Sequence, residues 1–107
     1  MSEHLTRDAF AEQLNTRFDI YFSPVKPSET QLVEVSELRK YARQEIFSLI
    51  FLAPPDVPLE QRIYDVRHAA LGALELFLVP IERDESGIKY EALFNRRIAG
   101  TEKAPVA

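Results

Sequence analysis

The apolar residues of this chain come in short runs closed off by proline or by charge, and that spacing suits strands better than long helices. The two strongest runs are Ile46–Leu52 and Leu76–Ile81. Both are far shorter than the roughly 20 residues that cross a bilayer. Seven prolines punctuate the sequence, against only three glycines.

The pattern predicts one helix, over Leu5–Leu14, with Thr6 as N-cap and Asp8 complementing the dipole in its first turn. Ala9, Phe10, Gln13 and Leu14 form its apolar stripe. Arg17–Phe22 reads as a strand, and Ser23–Glu29, with Pro24 and Pro27, as a loop. Thr30–Leu38 is a strand with Val33 and Val35 on one side and Glu34 on the other. Arg39–Gln44 is a charged connection. Glu45–Leu52 is apolar on both faces, which predicts a central strand with the helix as one cover. Three prolines in Ala53–Pro58 end it.

Arg62–His68 is the next strand, and His68–Gly72 a short connection. Ala73–Glu82 is the second strongly apolar strand; Ala69–Leu78 carries helix-favouring residues, but Leu74, Leu76 and Leu78 alternate ahead of Pro80, which decides for a strand. Pro80 cannot donate to a ladder and marks a bulge or an edge. Arg83–Gly87 is a turn joining this strand to Lys89–Asn95, whose Tyr90, Ala92 and Phe94 point inward.

At 107 residues the chain suits a single domain, residues 1–107. With 46% hydrophobic and 28% charged residues it reads as globular rather than disordered. The expected architecture is mainly β: about six antiparallel strands over residues 17–97, in a small barrel or strongly curled sheet. One N-terminal α-helix packs on it, and residues 98–107 form a flexible tail.

Composition removes several functions. A net charge of −4 argues against a general phosphate-binding surface, and nucleic acid is not the expected partner. Arg39, Lys40 and Arg43 surround Tyr41, and Arg96 and Arg97 could add to them. Glu37 and Glu45 flank that patch, so a solvated connection is the preferred reading over single-strand stacking. Without cysteine there is no disulfide, thiolate nucleophile or thiolate metal site. Neither a metal nor a cofactor is expected. The start lacks a basic leader and apolar segment, which predicts a cytoplasmic protein with no membrane partner.

His68 is the one interior histidine and could serve as a base or a ligand donor. The favoured reading is a backbone hydrogen bond across the turn that follows it. Ser36 and Ser48 lie in no nucleophile turn, and the carboxylates are too scattered for a metal set. Glu75 shares a face with Phe77, Val79 and Ile81, where a carboxylate could act as a raised-pKa acid. Solvent exposure or pairing with Arg62 or Arg67 is the simpler expectation. No catalytic residue is assigned.

The residues Phe47-Ser48-Leu49-Ile50-Phe51, Pro54, Pro55, Gln61, Tyr64, Val66 and His68 form one combination. Leu71-Gly72, Leu74 through Pro80, Tyr90-Glu91-Ala92 and Phe94-Asn95 complete it. Together, Phe47–Asn95 resembles a family of small, functionally uncharacterised bacterial β-rich domains. The resemblance implies a fold unit and an association with phage-tail-like or fibre proteins. It supplies no catalytic residues.

Three functional expectations follow. The first is a non-enzymatic interaction module, an accessory or adaptor subunit that binds another protein or itself, with Val33, Val35 and Pro80 as contacts. The second is a small-molecule-binding barrel whose polar contacts are Tyr64, His68 and Tyr90. The third is an enzyme using His68 and Glu75 as base and acid.

Overall fold

The computed structural model describes residues 6–97. Leu5 and the expected tail at 98–107 lie outside the described residues. The elements are α1 (Arg7–Ala11), β1 (Arg17–Tyr21), β2 (Ser28–Val35), β3 (Arg39–Lys40), β4 (Gln44–Ala53), β5 (Arg62–His68), β6 (Gly72–Asp84) and β7 (Gly87–Arg97). All strands belong to one antiparallel sheet in the order β2-β1-β5-β6-β7-β4-β3. A further β2–β4 ladder closes six of them into a barrel, with β3 as an extra strand on β4.

Period-two alternation sends Phe47, Leu49 and Phe51 of β4, Tyr64 and Val66 of β5, and Leu74, Leu76 and Leu78 of β6 inside. Ile88, Tyr90 and Ala92 of β7 join them. Strand β2 breaks the rule. Thr30 and Leu32 point inward, then the register shifts between Leu32 and Glu34, leaving Val33 half-buried in the bulge. Val35 turns back against the core. The expected common face of Val33 and Val35 is therefore absent, because one extra residue reverses the alternation. In β6 the register shifts between Pro80 and Glu82, where proline predicts it.

The helix is shorter than expected. Thr6 caps it, its Oγ1 accepting the Ala9 N–H at 3.1 Å, and Asp8 sits in the first turn. After Ala11 the chain turns, with Asn15 in the left-handed region at φ 69°. The Asn15 N–H donates to the Leu32 carbonyl, and the Leu32 N–H to that of Thr16, so β2 takes over the backbone. Of the predicted stripe only Phe10 is buried, and Leu14 is exposed. Phe10 packs near Phe47 and Phe94, at centroid distances of 6.3 and 5.4 Å, plugging one end of the barrel. It does not cover the outer face of β4. There the cross-strand neighbours of Ile50 are Glu34 and Glu91, whose methylene stems can lie over it.

Between β2 and β3 the two serines repair the ladder. The Ser48 N–H donates to Ser36 Oγ at 2.8 Å, and the Ser36 N–H to the Ser48 carbonyl at 2.9 Å. Arg7 Nε of α1 donates to the Ser36 carbonyl at 2.8 Å. The connection predicted at Arg39–Gln44 contains β3 and a turn closed by Tyr41 N–H on the Gln44 carbonyl.

The β6–β7 hairpin turns at Glu85-Ser86 between Asp84 and Gly87. Asp84 Oδ1 accepts from the Ser86 N–H and hydroxyl at 2.8 and 2.6 Å, which holds its carboxyl below the usual range. Gly87 has φ 144°, and a Cβ there would run into the Ala53 carbonyl oxygen of β4.

Candidate functional site

His68 ends β5 beside the α1–β1 connection. Its Nδ1 accepts the N–H groups of Ala70 and Leu71 at 2.9 and 3.2 Å, so that nitrogen carries no proton. The proton sits on Nε2, which donates to Thr16 Oγ1 at 2.9 Å. The Thr16 hydroxyl in turn donates a hydrogen bond to the Gln13 carbonyl at 2.7 Å. The ring lies 4.3 Å from that of Phe18, centroid to centroid, and burial lowers its pKa. His68 is thus a neutral tie between the start of β1 and the β5–β6 turn. Both ring nitrogens are occupied. Thr16, Arg67 and His68 line an open surface cleft with Gln13 and Asp19.

Tyr64 and Tyr90 stand at the opposite end of the barrel. The Tyr64 hydroxyl donates to the Glu60 carbonyl at 2.6 Å, and the Tyr90 hydroxyl to that of Pro58. Their rings meet Phe22 at 5.0 and 5.2 Å. The two hydroxyls latch the 54–61 loop over the barrel, and Val57 is buried beneath it. Burial pushes the Tyr90 hydroxyl up to about 12, and burial with the Glu60 carboxylate raises Tyr64. The structure therefore brings Tyr64 and Tyr90 together and leaves His68 apart from them. Every buried side-chain polar atom among the described residues has a hydrogen-bond partner.

Glu75 faces outward on β6, while His68 faces inward at the end of β5. The pair is not brought to one site. The cross-strand partner of Glu75 is Asp65, a second carboxylate. Register also sets Lys40 beside Glu45 and Glu45 beside Arg96, gathering the basic stretches at the α1 end. There the Arg96 guanidinium lies over the stacked Phe47 and Phe94 rings, 5.5 and 4.9 Å from their centroids. Among the described residues no group of three His, Cys, Asp or Glu could hold a metal. No described helix is long and apolar enough to cross a membrane.

The outer surface of β5, β6 and β7 is different. Ile63 and Phe77 are direct cross-strand partners, and both are exposed, at 61% and 51%. Ile81 at the β6 bulge and Leu93 on β7 are exposed at 48% and 62%. Pro80, a residue expected at a contact, is half-buried opposite Tyr90. The signal for this surface was the double-sided apolar character of β6: Leu74, Leu76 and Leu78 fill the core, so Phe77 and Ile81 have nothing inside to meet. Ile63 and Leu93 were legible only once strand neighbours were known.

One comparison reaches nearly the whole barrel. The family model described as Domain of unknown function (DUF6916) matches residues 5–94. The chain belongs to this family. The match extends the likeness from Phe47–Asn95 to include α1, β1 and β2, so the DUF6916 unit is the closed barrel with its plug. No curated protein and no solved structure matches the chain.

Proposed function

We propose that this chain is a non-enzymatic protein-interaction module, an accessory or adaptor subunit of a larger bacterial assembly in the cytoplasm. An assembly of the phage-tail or fibre kind is the form the family resemblance suggests. The observation that carries the reading is the exposed set Ile63, Phe77, Ile81 and Leu93 on neighbouring strands. Large apolar side chains left in water on a small protein, with Ile63 and Phe77 as a direct cross-strand pair among them, lower the free energy of association. In support, among the described residues the interior aromatics pack on each other, and the Tyr64 and Tyr90 hydroxyls and the His68 imidazole hydrogen-bond to carbonyls, backbone N–H groups and Thr16.

The test is native mass spectrometry of the protein purified gently from its host, beside Phe77→Thr and Leu93→Thr. Threonine keeps strand preference, so unfolding free energies from urea titration should change by no more than about 1 kcal/mol. The wild type should carry a stoichiometric protein companion that both variants lose. A bare wild-type monomer, or a companion kept by both variants, overturns the proposal.

A further inference from the structure

Strand β6 changes partners along its length. Gly72–Leu78 is laddered to β5, and the ladder to β7 runs only from Val79↔Glu91 to Asp84↔Gly87. Strand β7 continues along β4 to Arg97. Past Val79 the two arms of the hairpin thus follow different neighbours. Among the described residues, Gly72–Leu78 has a strand on one side alone. Alternate residues of an antiparallel strand turn their N–H and C=O groups away from the partner, so this edge presents main-chain donors and acceptors. Its outward side chains are Ala73, Glu75 and Phe77.

We infer that this edge takes up an extended segment of a partner protein as an added strand. The segment carries a basic side chain opposite Glu75 and, two residues away, an apolar one against Phe77. This rests on the interaction-module reading and names the partner's chemistry. Two features choose that occupant. Asp65 lies directly across from Glu75, and like charges so placed are unfavourable. A lysine or arginine opposite Glu75 on an added strand offsets that carboxylate. A second copy does not fit: antiparallel pairing about the middle of Gly72–Leu78 sets Glu75 against Glu75. Strand addition draws affinity from the main chain and specificity from alternate side chains, here apolar and basic at a spacing of two.

The experiment selects binders to the full chain from a library of displayed random peptides and maps them by amide hydrogen exchange. Enriched peptides should carry Lys or Arg two positions from an apolar residue and slow the exchange of Gly72–Leu78. Glu75→Lys should weaken them about tenfold. Replacing the basic residue of the peptide by glutamate should restore binding to that variant. Binders that need Phe77 but leave those amides exchanging freely, or that ignore Glu75→Lys, overturn strand addition and leave the interaction module standing. Failure to enrich any binder overturns the added strand alone. A host companion that persists in Phe77→Thr and Leu93→Thr removes the module reading itself.

Discussion

His68 ties three parts of the chain with one ring, and the tie holds only while the ring is neutral. Protonating Nδ1 breaks its bonds from the Ala70 and Leu71 N–H groups. Burial already lowers the folded pKa below the ordinary 6.5, so near and below that value the unfolded chain binds more protons than the native one. The contribution is full above pH 6.5 and is lost as pH falls through the folded pKa. Urea midpoints compared at pH 7.5 and in mild acid, about pH 5.5, should therefore fall in the wild type. His68→Gln should be less stable at the higher pH and lack that part of the slope. Equal slopes would show that the ring titrates as freely as in the unfolded chain. The turn-bridging role was readable beforehand, because an imidazole followed by a short glycine-closed connection has backbone N–H groups within reach. Thr16 as the second partner was not, since it arrives from a distant part of the sequence. Tyr64 and Tyr90 taught the same lesson. In a loosely filled barrel their hydroxyls could face a ligand; which carbonyls they meet, those of Glu60 and Pro58, depends on how the 54–61 loop folds back.

Among the elements, the two glycines that flank the long hairpin strands have unequal duties. At Gly87 the obstacle to a side chain is the backbone of β4, which cannot step aside. At Gly72, φ 81°, the surrounding space is open and only the left-handed backbone resists. Gly87→Ala should cost about 3 kcal/mol or more and Gly72→Ala about 1 kcal/mol, measured by urea unfolding. Near-equal losses would mean that β7 can slide away from Ala53. The helix gives a second contrast. Five residues cannot sustain a helix by themselves, so α1 exists because Phe10 is held inside the barrel. Phe10→Ala should lose about 3–5 kcal/mol while Leu14→Ala, at an exposed position, loses under about 1 kcal/mol. Comparable losses would restore the longer stripe read from the sequence. Strand positions were legible because a period of two is a local property. The bulge in β2 was not, since nothing local to Val33 announces an extra residue.

For the whole molecule, barrel closure was foreseeable in kind but not in order. Short antiparallel connections foretell β5–β6 and β6–β7, whereas β1–β5 and β4–β7 join segments far apart in sequence, and composition is silent on such pairings. The outer apolar surface on β5, β6 and β7 is a product of that order. Every one of the ten residues of β4 has its partner in β7, the last strand. Strand β4 is also apolar on both sides. During synthesis it is made before β7 exists, and loop-closure entropy delays the long-range ladder further. A nascent chain halted before Gly87 should therefore neither resist protease nor stay dispersed, as limited digestion and sedimentation would show. Protease-resistant, soluble behaviour would mean that the other strands seal β4 without it. The ladder that makes the barrel firm thus leaves its stickiest segment unaccompanied until β7 has been made, and cells making this protein quickly have reason to shelter it until that strand arrives.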